Sequence, residues 1–166
     1  YYRFTGQIEN GGRGSAYMGG IVGINGSANG AKAHIESCYV YDRQLNERAL
    51  TAQNKADNGQ SKTVYASGEN STIGGIVGVN YKYATVKSSV PVKGYMTAAG
   101  GVLGGIAGHN NGTLLDCKPE VNHGDEGIRV KLYSAAGTVG AITGKSDILA
   151  DERGCFAGVD WYYGEV

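Results

Sequence analysis

Proline and cysteine are scarce in this chain, with two and three residues in 166. So few prolines, and no Gly-X-Y period, exclude proline-rich linkers and collagen. Neither sign of charge is in excess: fifteen basic residues balance fifteen acidic ones. The chain therefore has no broad basic field to hold a phosphate backbone or an anionic lipid surface, and nucleic acid is not expected as a partner. No apolar run approaches the roughly 20 residues that a membrane span needs. The sequence opens Tyr1-Tyr2-Arg3, with neither a start methionine nor a signal peptide, and reads as a mature or excised piece of something longer. Glycine, by contrast, is abundant at 29 residues, more than twice the usual share of about 7%.

The glycines recur in order. Gly19-Gly20-Ile21-Val22-Gly23-Ile24-Asn25 returns as Gly74-Gly75-Ile76-Val77-Gly78-Val79-Asn80 and as Gly104-Gly105-Ile106-Ala107-Gly108-His109-Asn110. A weaker fourth copy reads Gly140-Ala141-Ile142-Thr143-Gly144-Lys145-Ser146. Self-similarity at a period of tens of residues marks units that cannot bury a core alone and must stack on their neighbours. If the cores are strands, Ile21, Ile76, Ile106 and Ile142 fall on one face and form an inward ladder. The position three further on reads Ile24, Val79, His109 and Lys145, a tolerance that suits an outward face. Asn25, Asn80 and Asn110, with Ser146 in the fourth copy, stand at the turn, where stacked amides can hydrogen-bond along a column.

A second strand follows each core: His34–Val40, Thr85–Val90, Thr113–Cys117 and Asp151–Phe156. Cys38, Cys117 and Cys155 coincide in it, with Ser89 in their place in the second copy, so one small site recurs in each unit. This placement predicts buried thiols rather than nucleophiles or a disulfide. A third strand precedes each next core, at Tyr2–Thr5, Thr63–Ser67, Gly94–Thr97 and Val130–Ser134, with Trp161-Tyr162-Tyr163 as its last occurrence. Three short strands per unit, with Gly and Asn at the corners, predict an all-β fold: a parallel β-solenoid of about four rungs. The single repeat domain spans 1–166, with rungs near 19–42 plus 63–68, 74–97, 104–134 and 140–163. Core-to-core spacings of 55, 30 and 36 residues leave segment 43–62 as an insertion in the first rung. Its Leu45–Gln53 stretch predicts an inserted loop or short helix outside the wall.

The string Gly-Gly-Ile-Val-Gly-x-Asn, followed by x-Ile-x-x-Cys-Tyr, resembles the GLUG motif. That repeat occurs in large bacterial surface proteins, including filamentous-haemagglutinin-like adhesins and the non-catalytic region of immunoglobulin A metalloproteases. The second copy departs from it in lacking the Cys, and the fourth in lacking the second Gly and the Asn. The resemblance implies an extracellular or cell-surface location and a scaffold or adhesive role, and it carries no catalytic residues.

Other chemistry fits the residues less well. Gly144-Lys145-Ser146 ends like a phosphate-binding loop, but the first glycine of that pattern is replaced by Val139. His34, His109 and His123 lack metal-ligand spacing, and His109 falls at the variable outward position. Asn122–Gly127 is an oxygen-rich loop without the spacing of a calcium site. No catalytic, cofactor-binding or metal-binding residue is therefore assigned, and no cofactor. Asn25, Asn70 and Asn111 each open an N-glycosylation triplet, a pattern that arises readily in a turn-rich chain. Tyr81, Tyr83, Trp161, Tyr162 and Tyr163 are candidate surface contacts, because aromatic rings give rigid contact area and stack on sugars.

The sequence thus predicts a non-enzymatic structural or adhesive segment of a bacterial surface protein or filament. Its partners would be a glycan or protein on a neighbouring cell or host surface, and its ends could self-associate. An accessory region of a secreted protease or glycan-active enzyme is the alternative, as is a self-assembling filament subunit. A polysaccharide lyase would need clustered acids and bases, and the carboxylates here are scattered.

Overall fold

The computed structural model describes residues 8–10, 14–38, 64–66, 70–89, 95–118, 130–155 and 159–163. The expected strand at Tyr2–Thr5, the inserted segment 43–62 and the Asn122–Gly127 loop lie outside the described residues. Every regular element among the described residues is a β-strand, and every pairing between strands is parallel.

The first rung holds β1 (Ile8–Asn10), β2 (Tyr17–Gly19), β3 (Val22–Asn25) and β4 (Ala33–Glu36). The second repeats them as β5 (Val64–Ala66), β6 (Thr72–Gly74), β7 (Val77–Asn80) and β8 (Ala84–Lys87). In the third, one long strand, β9 (Tyr95–Gly104), replaces the first two, followed by β10 (Ala107–Asn110) and β11 (Thr113–Leu115). The fourth is built likewise from β12 (Val130–Gly140), β13 (Thr143–Ser146) and β14 (Asp151–Arg153). β15 (Val159–Tyr163) then pairs on β12. The walls are a seven-stranded sheet and two four-stranded ones, β13-β10-β7-β3 and β14-β11-β8-β4. This is the expected four-rung β-solenoid.

Register follows the sequence repeat residue by residue. Val22, Val77, Ala107 and Thr143 align across β3, β7, β10 and β13, as do Asn25, Asn80, Asn110 and Ser146. In the third wall Ile35, Val86, Leu114 and Glu152 align. The interior is built from these columns, with Ile76, Ile106, Val86, Leu114 and Cys117 fully buried together. Burying a side chain of this size stabilises the fold by about 1.5–3 kcal/mol.

Two readings of the repeat change. The motif is not one strand but a corner: β6 ends at Gly74, the chain bends through Gly75 and Ile76, and β7 begins at Val77. Glycine is needed there because the two walls touch backbone to backbone. A Cβ on Gly108 would lie 2.7 Å from the Ile73 nitrogen and 2.8 Å from the Gly78 oxygen, and one on Gly74 would lie 2.6 Å from the Gly108 nitrogen. Side chains cannot be inserted where main chains are this close. The wall preceding the motif runs on to its first glycine in the third and fourth rungs, so β9 and β12 are longer than the short third strand expected.

The second change concerns the outward position. Lys145 is exposed and Ile24 is 41% exposed, but Val79 is only 4% exposed. It is shielded between its column neighbours Ile24 and His109, with which it aligns in register. Mixed chemistry down this column comes from where each rung sits in the stack.

Candidate functional site

Three columns carry the polar order of the array. In the amide column, Asn25 Nδ2 donates to Asn80 Oδ1 at 2.9 Å, and Asn80 Nδ2 donates to Asn110 Oδ1 at 2.9 Å. Each of these amides also donates across the interior, Asn25 to the Thr85 carbonyl and Asn80 to that of Thr113, both at 3.2 Å. The ladder expected from the sequence is present, and it points one way, from the first rung toward the fourth. All three asparagines are buried, so each bond satisfies groups that water cannot reach.

At the fourth rung the columns change character together. Ser146 stands where Asn would continue, Thr143 where the lower rungs have Val or Ala, and Glu152 where they have Ile35, Val86 and Leu114. Glu152 Oε1 accepts from Asn110 Nδ2 at 3.0 Å and from Ser146 Oγ at 2.9 Å, while its Oε2 accepts from Thr143 Oγ1 at 3.5 Å. Sequence comparison alone makes this copy a weakened repeat. Its substitutions instead form one hydrogen-bonded cluster of Asn110, Thr143, Ser146 and Glu152. The signal was available in the sequence, since all three changes are to side chains that can hydrogen-bond and fall at repeat-matched positions.

The third column holds Cys38, Ser89, Cys117 and Cys155. Each Sγ or Oγ donates to the carbonyl two residues earlier, at Glu36, Lys87, Leu115 and Arg153. The residue before each has a left-handed backbone: Ser37 (φ 53°), Ser88 (φ 46°), Asp116 (φ 52°) and Gly154 (φ 63°). That kink lets the Ser37, Ser88 and Asp116 N–H groups reach the next rung's carbonyl at 2.9–3.1 Å. The three cysteines are free thiols. A hydrogen bond from Cys155 draws the Cys117 thiol down to about 7 against the opposing effect of burial, and the same contact, with burial, pushes Cys155 up.

The outer surface of the described residues carries ion pairs. Glu36 sits between His34 at 3.0 Å and Lys87 of the next rung at 2.9 Å. The hydrogen bond from His34, and then that from Lys87, hold its carboxyl below the ordinary carboxylate range. His109 meets Asp147 at 3.0 Å and is half-buried rather than fully solvated. Lys145 lies in β13, paired along its length with β10, so Gly144-Lys145-Ser146 is strand and forms no phosphate cradle. Among the described residues no group of three or more His, Cys, Asp or Glu could hold a metal ion. Nor is any helix among them long and apolar enough to cross a membrane.

Of the predicted contacts, Tyr83 is 58% exposed, with Lys82 Nζ 5.0 Å from its ring centroid, and Tyr81 beside it is half-buried. Trp161, Tyr162 and Tyr163 fall in β15, away from Tyr81 and Tyr83 in the chain's order of rungs, and their side chains lie outside the described residues. Asn25 is committed to the ladder and only 5% exposed, which removes it as a glycan acceptor. The expected inward ladder is buried at Ile76 and Ile106 but not at its first member: Ile21 is 41% exposed, because β3 is the edge strand of its sheet among the described residues. Compared with family models, curated proteins and solved structures, the chain matches none.

Proposed function

We propose that this chain is a structural and adhesive segment, a rigid β-solenoid that displays repeated surface positions and performs no reaction of its own. The reading is carried by the in-register stacking of four rungs, which repeats each outward position at about 4.8 Å along the array. A rod of this kind binds by avidity: individually weak contacts, held in fixed geometry, act together. The exposed Tyr83 with Lys82 over its ring supplies one such contact of the type that stacks on sugars. The GLUG-like repeat supports placing the segment outside a bacterial cell, on a surface protein or filament, with a glycan or protein of a neighbouring cell as partner.

The test is a glycan array and a cell-binding assay with the chain coupled to beads at graded density. Binding that rises steeply with density and falls in Tyr83→Ser supports the reading. Density-independent binding, or turnover of any bound glycan, would count against it.

A further inference from the structure

The thiol column sets two cysteines on successive rungs in the same conformation. Strands β11 and β14 pair in parallel with Leu115 opposite Arg153. Two residues further on stand Cys117 and Cys155, each preceded by a left-handed residue, Asp116 (φ 52°) and Gly154 (φ 63°). Both Sγ atoms donate to the carbonyl two residues back at 3.5 Å, Cys117 to Leu115 and Cys155 to Arg153. Equal conformations in register place the two sulfurs side by side, one rung or about 4.8 Å apart. Ser89 stands between Cys38 and Cys117, which puts those two sulfurs roughly two rungs apart.

The surroundings favour a negative sulfur beside a cation. The N–H of Ser89 points at Cys117 Sγ, and that of Cys117 at Cys155 Sγ. The same contact recurs one rung earlier, where the Cys38 N–H donates to Ser89 Oγ at 3.2 Å. Hydrogen bonds donated to sulfur stabilise its ionised form. The carboxylates of Asp116 and Glu152 act on the pair, the first on Cys117 and the second on Cys155, and they attract a positive ion to it.

We infer that Cys117 and Cys155 form a binding site for a soft monovalent cation of the copper(I) type, held between the two sulfurs in linear S–metal–S geometry. A metal–thiolate bond of about 2.3 Å, taken twice, spans about 4.6 Å, which matches the rung spacing. A disulfide instead needs sulfurs about 2.0 Å apart and Cβ atoms about 3.8 Å apart, so the rungs would have to close on one another. Thiolate sulfur is soft and selects copper(I). Structural zinc takes four ligands, and among the described residues no third His, Cys, Asp or Glu completes a group with the pair. On binding, both thiol protons pass to solvent and no atom changes oxidation state. The site is independent of what the outer surface binds.

The test uses the full chain, reduced and kept under nitrogen, with copper(I) supplied from a coloured copper(I) chelate of known stability. The chain is expected to withdraw one equivalent. Cys117→Ser and Cys155→Ser should each weaken uptake more than about a hundredfold, since losing a group that merely hydrogen-bonds a ligand already costs about 10–100-fold. Serine fills this position in the second rung, so both variants keep the fold. Cys38→Ser should leave uptake unchanged, and Ser89→Cys, which closes the gap in the column, should raise it to two equivalents. No withdrawal of copper(I) by the unaltered chain overturns the proposal. So does full uptake in Cys155→Ser, a loss in Cys38→Ser equal to that in Cys155→Ser, a single equivalent in Ser89→Cys, or preferential uptake of zinc. Rapid closure of a Cys117–Cys155 disulfide by an oxidised dithiol would also overturn it, by showing the sulfurs within bonding reach of each other.

Discussion

Asn110 and Glu152 stand on different walls and successive rungs, and the Asn110 Nδ2 donates to Glu152 Oε1 at 3.0 Å. Glu152 occupies the register position of Leu114, which faces the core and is fully buried. Glu152 itself is exposed, and its carboxylate accepts the last donor of the Asn25–Asn80–Asn110 column.

Asn80 is the middle of that column, fully buried, with three side-chain hydrogen bonds. Asn80→Ala removes all of them and leaves the Asn110 Oδ1 with only the Gly112 N–H. A loss of roughly 3 kcal/mol is expected, since each stranded buried polar group costs about 1–3 kcal/mol. Asn25→Ala, at the column's end, should cost about half as much. Urea denaturation of the three proteins checks both values.

Gly108→Ala should unfold the array or cost more than about 3 kcal/mol, because its Cβ would sit 2.7 Å from the Ile73 nitrogen and neither main chain can retreat. Gly14→Ala meets nothing within 4 Å and should change stability by less than about 0.5 kcal/mol. Thermal melts of the pair distinguish close wall packing from a general cost of removing glycine.

Ser88 holds φ 46° where the fourth rung uses Gly154 at φ 63°. A side chain in this region is strained by about 1–2 kcal/mol. Ser88→Gly is expected to raise the melting temperature by a few degrees, part of the relief being offset by the freer unfolded chain. Gly154→Ala should lower it, through both the backbone angle and a clash with the Asp116 carboxylate.

The thiol pair predicts a pH trend. Cys117 is held at about 7 in the folded protein against an ordinary value of 9.0, chiefly by the Cys155 hydrogen bond. Between these values the folded state binds fewer protons than the unfolded one, so stability rises from pH 7 to 9 and is lost as pH falls through 7. In Cys155→Ala the largest lowering contact is gone, burial and the Asp116 charge oppose the backbone hydrogen bonds at Ser89 and Leu115, and the rise should shrink. Urea midpoints of both proteins at pH 6 to 9 read this directly.

The sequence carries the architecture because stacking forces equivalent residues into register, so Asn25, Asn80 and Asn110 announce their column. It carries the thiol column for the same reason, although of its cysteines only Cys117 is buried, while Cys38 and Cys155 are half-buried. What it hides is anything set by position within the stack. Val79 and Lys145 share a repeat position, yet one is enclosed and the other exposed. The backbone contact of Gly74 with Gly108 is equally hidden, since a repeated glycine suits a turn as well as a close approach. The set of Thr143, Ser146 and Glu152 looks like loss of the motif until its members are seen bonded to one another. Ile21 looks like core in the repeat, yet on the edge strand of the described sheet it is 41% exposed.

A one-way amide column also limits how such an array can be lengthened. A duplicated unit of about thirty residues with Asn at the ladder position fits between any two of the lower rungs, receiving a donor on one side and supplying one on the other. The same unit placed beyond the fourth rung would confront a carboxylate and find no donor. Duplication therefore preserves the column only where the new unit both receives a donor from one neighbour and supplies one to the next.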